Sequence, residues 1–253
     1  MNAPTGVRFA VIIPAYNEAG TIKPLVEKVL QHTVNVFVVD DGSADDTLAQ
    51  LQGLPVTVLV NETNQGKAAS LWRGMQAALE TGVDAVITMD GDGQHNPDDI
   101  PQLLSAAHQY PQCLIIAARL LNREHAPKAR LFANNFADFW ISWAAGQWVS
   151  DSQSGYRLYP AGLIRAVDIP RTRYRSFVFE SEMAIEAARH GYPCVPVAIK
   201  SVYLHGGRSS HFRPVADITR IVLMVAWKIL QKGLYPLGLW RALFGKRLQA
   251  GSL

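Results

Sequence analysis

An α/β fold with a mainly parallel sheet flanked by helices follows from three features of the sequence. Short apolar runs alternate with helical periodicities over residues 9–118. The acidic and polar clusters sit immediately behind the strand signals. The chain has 253 residues, 49% hydrophobic and 18% charged, enough for one large domain and a short appendage. Strands separated by single helices imply right-handed crossovers and helices on both faces of the sheet.

The elements read as follows. Phe9 to Ile13 is the first buried strand, and Thr21 to Gln31 a helix with Ile22, Leu25, Val26, Val29 and Leu30 on one face. Val34 to Val39 is the second strand. Ser43, with Asp46 three residues on, resembles a capping box opening a helix through Leu51. Val56 to Val60, Ala85 to Met89 and Leu114 to Ala118 are the next strands, with a helix over Gly66 to Leu79 and another begun by Asn96-Pro97 and Asp99. After Ala118 the alternation stops. A basic loop carries Arg119, Arg123, Lys128 and Arg130, followed by an aromatic stretch from Leu131 to Val149 and a turn over Asp151 to Arg157. A helix over Glu180 to His190 and strands near Val195 to Ile199 and Ser201 to Leu204 follow. The final amphipathic helix, Val215 to Lys232, is unusually apolar. The expected division is a catalytic body over residues 1–213 and a basic, amphipathic extension over residues 214–253.

Composition narrows the setting. Cys113 and Cys194 have no CxxC spacing and lie in or beside apolar runs, so buried free thiols and a reducing compartment are expected. Met1 to Arg8 has no signal-peptide pattern, and no uncharged apolar run approaches the roughly 20 residues of a membrane span. The net charge of +3 hides an asymmetry. From His205 onward eight Lys or Arg face one Asp, a tail of +7 on a body of −4. Together with Trp227, Tyr235 and Trp240, this predicts a peripheral protein whose last helix lies on a membrane surface, on the cytoplasmic face. Packing against the body is the alternative. The apolar helix in the basic tail argues against nucleic acid as a partner.

Three clusters carry the chemistry, because ligands of such sheets bind outside the carboxyl ends of the strands. In Asp90-Gly91-Asp92-Gly93-Gln94-His95 two carboxylates at i, i+2 can face one divalent ion, with water and substrate phosphate completing its shell. Gln94 or His95 adds a ligand or a hydrogen bond. Asp40-Asp41 ends the second strand, where a carboxylate can accept from a ribose hydroxyl or a base N–H; Ser43 as the cap would leave both acids free. Pro14-Ala15-Tyr16-Asn17-Glu18 offers main-chain contacts, a ring to stack on a base and a further carboxylate. Lys67, in Asn64-Gln65-Gly66-Lys67 at a helix start, can attract a diphosphate. No Walker P-loop and no GxGxxG fingerprint occurs, which argues against an NTPase and a nicotinamide dehydrogenase.

With these strings in place, the chain resembles family 2 glycosyltransferases, which have the Rossmann-like GT-A fold, and within them the dolichol- and polyprenyl-phosphate mannosyltransferases and related sugar transferases. The matching segments are Val11 to Glu18, Val39 to Asp45, Asn64 to Lys67, Met89 to His95 and Ser154 to Arg157, in family order. The resemblance implies that Pro14, Tyr16, Glu18, Asp40 and Asp41 hold the nucleoside. It implies that Asp90, Asp92 and Gln94 carry Mg2+ or Mn2+ with the donor diphosphate, aided by Lys67, Arg208 and Arg213. Arg119 and Arg130 match arginines that meet an acceptor phosphate. Glu182 falls near the position of the catalytic base, with Glu180 competing, and Arg157 and Asp92 join the catalytic set.

The implied reaction is inverting, metal-dependent transfer from a UDP- or GDP-linked sugar to a lipid or lipid-phosphate acceptor. The oligomeric state is left open. Two rivals stand beside it: a nucleotidyltransferase, although a Gly-rich basic signature is missing after the first strand, and a non-catalytic carbohydrate- or lipid-binding protein, against which Asp90 and Asp92 argue.

Overall fold

The computed structural model describes residues 6–121, 128–170, 178–200 and 214–250 and, of residues 128–130 and 214–217, the backbone alone. Seven strands form one sheet: β1 (Phe9–Ala15), β2 (Val36–Asp40), β3 (Thr57–Val60), β4 (Ala85–Thr88), β5 (Leu114–Arg119), β6 (Arg157–Pro160) and β7 (Cys194–Ile199), in the order β3-β2-β1-β4-β6-β5-β7. The helices are α1 (Ile22–Val29), α2 (Thr47–Gln50), α3 (Lys67–Glu80), α4 (Ile100–Gln109), α5 (Lys128–Ala145), α6 (Ala161–Ala166), α7 (Phe179–Arg189), α8 (Pro214–Leu230) and α9 (Pro236–Phe244). The expected strand near Ser201 to Leu204 lies outside the described residues.

The central strands are unbroken apolar runs because both faces are covered. Along β1, Ala10 and Ile12 enter one core with Leu71, Met75 and Met183, while Phe9, Val11 and Ile13 enter the other with Ile22, Val26 and Leu103. β1 runs parallel to β2 and β4, so Ala15, Asp40 and the residues after Thr88 finish at one edge.

β6 is the exception, antiparallel to both β4 and β5 and inserted between them. The residue pattern predicts only a turn over Asp151 to Arg157, and not this strand. Four residues buried on both faces and opening with an arginine leave no periodicity to detect. Its reversed direction sets Arg157 opposite Thr88, which brings the preceding Ser154-Gly155-Tyr156 to the edge where β4 ends.

The C-terminal helices are joined to the body. Ile221, Met224, Val225 and Ile229 of α8 enter the same core as α5 and α7. Lys228 reaches Glu182 at 3.0 Å and Glu186 at 2.8 Å. Ile218, Val222, Leu223, Trp227 and Leu230 point outward. The helix expected to be amphipathic therefore turns Lys228 inward, and much of its apolar surface faces out. Both cysteines are buried free thiols, and burial pushes that of Cys194 up to about 12.

Candidate active site at the carboxyl edge of the sheet

The loops after β1, β2 and β4 are tied into one unit by their own polar groups. Asn17 adopts a left-handed φ of +58°, a conformation asparagine tolerates. Its N–H donates to Ser43 Oγ at 2.9 Å, and its Oδ1 accepts from Ala44 N–H at 2.8 Å. Glu18 N–H donates to Thr47 Oγ1 at 2.8 Å, and Thr21 Oγ1 donates to Gly91 O at 2.7 Å. Ser43 therefore braces the first loop and does not cap α2, which corrects the capping role expected from the sequence. The N-cap of α2 is Asp46, without a side-chain bond, and Asp45 receives the Thr47 N–H at 3.0 Å. Pro14, Tyr16 and Glu18 are all half-buried along this edge.

The two acids ending β2 divide. Asp41 accepts from Asn61 Nδ2 at 2.7 Å and from the N–H groups of Gln65 and Gly66 at 2.8 Å each. Its carboxylate is spent on holding the loop before α3, which corrects the expectation that it binds nucleoside. Asp40, 1% exposed, accepts Ser43 N–H on Oδ2, while its Oδ1 is buried with no partner. A buried acceptor left unmade costs about 1–3 kcal/mol, so this oxygen is set for a donor from outside the protein.

After β4, Asp90 meets Lys67 Nζ at 2.6 Å, and the same ammonium meets Glu180 at 2.7 Å. Burial works against the charge of Asp90, but Lys67 and, more weakly, its neighbours outweigh it and hold the carboxyl below its ordinary range. Lys67 is thus engaged by two acids, not standing free for a diphosphate. Gly155 makes this cluster fit. A Cβ there would stand 2.9 Å from Asp90 Oδ2 and 3.0 Å from Lys67 Nζ, and the Gly155 carbonyl is fixed by Thr88 Oγ1 at 2.7 Å. Ser154 to Arg157 were singled out in the sequence, but that glycine's part needed the antiparallel β6.

His95 turns away from ligand duty. Its Nδ1 accepts Asp90 N–H at 3.1 Å, and its ring stacks on Tyr156. Burial lowers its pKa despite the pull of Asp90 and Asp92, so the neutral imidazole persists. Asp92 is half-exposed and accepts only Gln94 N–H, at 3.0 Å, among the described residues. Gln94 itself is exposed. No group of three or more His, Cys, Asp or Glu side chains gathers as a metal site among the described residues. Two carboxylates, Asp90 and Asp92, are the donor set of this loop, a chemistry that suits a hard cation completing its shell with water and phosphate oxygens.

Three further expectations change with the geometry. Arg157 is fully buried. Its Nε, Nη1 and Nη2 donate to the carbonyls of Ser154, Glu180 and Ser152 at 2.7, 2.5 and 2.7 Å. It ties β6 to α7 and is not a catalytic group. Glu182 is directed at Lys228, while Glu180 faces the Lys67–Asp90 pair, so the acid at the site is Glu180. Arg119 is gripped by Asp151 through Nε at 2.8 Å and Nη2 at 2.7 Å, and Asp151 is in turn positioned by Asp138, which accepts its N–H at 3.0 Å. Neither Asp138 nor Asp151 was singled out in the sequence as a site residue. Arg119 still lies near enough to Asp90 for its charge to help hold that carboxyl down. Arg208 and Arg213 lie outside the described residues, as does the side chain of Arg130.

A parallel sheet with paired acids behind its strands is the architecture of nucleotide-dependent transferases, and comparison with known proteins agrees. The model of the glycosyl transferase family 2 matches residues 10–153, and the chain belongs to that family. It is a glycosyltransferase. It is 30% identical to an undecaprenyl-phosphate mannosyltransferase of Micrococcus luteus, over 89% of this chain and 98% of that one. It is 28% identical to a UDP-N-acetylglucosamine–dolichyl-phosphate N-acetylglucosaminyltransferase of Methanococcus voltae, over 76% and 85%. Among solved structures, glucosyl-3-phosphoglycerate synthase from Mycobacterium tuberculosis, in complex with Mn2+, UDP and phosphoglyceric acid, superposes with a TM-score of 0.63. It is 20% identical, over 92% of this chain and 81% of that one, and shares the fold.

Proposed function

We propose that this glycosyltransferase moves a sugar from a UDP- or GDP-linked donor to a polyprenyl-phosphate-type lipid, with inversion and with Mg2+ or Mn2+, at the cytoplasmic face of a membrane. The observation that carries the reading is the placing, at the strand ends on either side of β1, of a buried unpartnered acceptor, Asp40 Oδ1, and of the Asp90–Asp92 loop. The first suits a ribose or base donor and the second a diphosphate with its cation. Relatives named for undecaprenyl- and dolichyl-phosphate acceptors support the acceptor class.

Asp92, with Asp90, would hold the divalent ion, which when bound supplies Lewis-acid neutralisation of the leaving diphosphate. Lys67 keeps Asp90 ionised. A lipid phosphate is already ionised, so its attack needs orientation and no proton removal. Arg119, fixed on Asp151, and Arg130 are the groups assigned to it. A hydroxyl acceptor would need a general base, and Glu180 holds the better position for that than Glu182.

Support for a membrane setting comes from the outer face of α8 and α9. Trp227, Trp240 and Phe244 are 60%, 58% and 72% exposed there, interleaved with basic residues. No described helix is long and apolar enough to cross a membrane.

The test of the donor site is Asp92→Asn, assayed with nucleotide sugars, Mn2+ and polyprenyl phosphate. Turnover is expected to fall by about a hundredfold or more. Near-normal turnover would remove the metal assignment.

A further inference from the structure

Some distance from the strand ends, the carboxyl ends of α5 and α7 and the α8–α9 turn border a half-open cavity of about 280 Å³. It lies about 13 Å along α7 from Glu180, at 1.5 Å of rise per residue. Gly146, Gln147, Arg189, Lys232, Tyr235 and Arg241 line it, with no acid among the lining residues. Arg189 spends Nη1 on Glu186 and Nη2 on the Lys228 carbonyl, but its Nε is buried with no partner. Lys232 lies 4.6 Å from the Tyr235 ring centroid, and neither Lys232 nor Arg241 has an acidic partner among the described residues.

The turn that closes this cavity is strained. Leu234 and Tyr235 are consecutive non-glycine residues with φ of +64° and +43°. Left-handed backbone at a bulky residue persists only where surrounding contacts impose it, and such strain gathers at ligand sites. Here Trp143 Nε1 donates to the carbonyls of both Leu234 and Tyr235 at 3.1 Å. Gly146 and Gly238 leave room for the Tyr235 side chain, since a Cβ would approach its hydroxyl to 2.5 Å and its ring to 2.1 Å respectively.

We infer that this cavity binds the phosphate of an anionic lipid headgroup, an inference that rests on the membrane reading above. Three cations line this half-open space, Arg189 already paired with Glu186 and Lys232 and Arg241 exposed, and phosphate is the ligand their N–H groups match. The lipid source follows from what stands beside them in the chain. Leu234, Leu237 and Trp240, each within two residues of Lys232, Tyr235 or Arg241, all face outward. A soluble phosphate needs no apolar collar, whereas a headgroup sits beneath one.

The test is flotation of the full chain with vesicles of phosphatidylcholine alone or with about one-fifth phosphatidylglycerol, beside thermal shift with glycerol 3-phosphate. Wild type is expected to favour the anionic vesicles. Arg241→Gln and Lys232→Gln each reduce that preference about fivefold. Ala188→Leu, which fills the cavity without changing charge, reduces it too, and Lys246→Gln, outside the cavity, reduces it less. Ala188→Leu and Arg241→Gln both binding anionic vesicles like wild type would overturn the inference. So would equal losses in Lys246→Gln and Arg241→Gln with none in Ala188→Leu. A shift by glycerol 3-phosphate that Arg241→Gln abolishes, without any anionic preference on vesicles, would assign the cavity to a soluble phosphate and overturn the lipid source. Failure to float with either vesicle would sink the membrane reading itself.

Discussion

The guanidinium of Arg157 carries five N–H groups, and the fold turns all three of its nitrogens onto main-chain carbonyls. An arginine in a motif-bearing string invites a catalytic role, yet a side chain with no exposed surface does not reach substrate. Arg157→Met would leave three buried carbonyls without their donor. We expect a loss of at least about 3 kcal/mol in denaturant unfolding. A catalytic arginine would instead lose turnover with stability intact. The same scale separates Asp40 from Asp41. Adjacent in sequence and both buried, they were indistinguishable until hydrogen-bond partners were counted: three for Asp41, and a vacant oxygen on Asp40.

At the scale of elements, α8 carries an arrangement that amphipathicity alone does not reveal. Its apolar surface is wide enough to supply two faces, one to the core and one outward, so Lys228 falls on the inner side. That lysine neutralises Glu182 and Glu186 of α7, and breaking a buried pair by removing one member leaves uncompensated charge. Lys228→Met is expected to cost about 3 kcal/mol in chemical denaturation, with part recovered by Glu182→Gln in the double variant. No recovery would show that the pair is not coupled. The first five strands were legible because each is a run of apolar residues between helical periods. β6 was not, because two neighbouring strands, and not its own four residues, define it.

For the whole molecule, the two faces of the C-terminal helices decide how membrane binding can be measured. Truncation before Pro214 would remove Ile221, Met224, Val225 and Ile229 from the core, so lost vesicle binding would say little. Trp227→Ser with Trp240→Ser leaves that core in place. We expect binding to phosphatidylcholine–phosphatidylglycerol vesicles to fall at least tenfold while the melting temperature stays within a few degrees. Unchanged partition would show that this face does not meet lipid.

What the sequence determined by itself was the α/β alternation, the parallel start of the sheet, the two buried thiols and the placing of acids behind strands, all of them local matters of periodicity and adjacency. The tertiary structure alone decided which of those acids has a hydrogen-bonding vacancy, that Glu180 and not Glu182 meets Lys67, and that Gly155 walls the cluster. The physical reason is that charge and hydrogen-bond satisfaction depend on what crosses from other strands and helices: β6 enters backwards beside β4, and α7 arrives from more than a hundred residues further along the chain than Lys67.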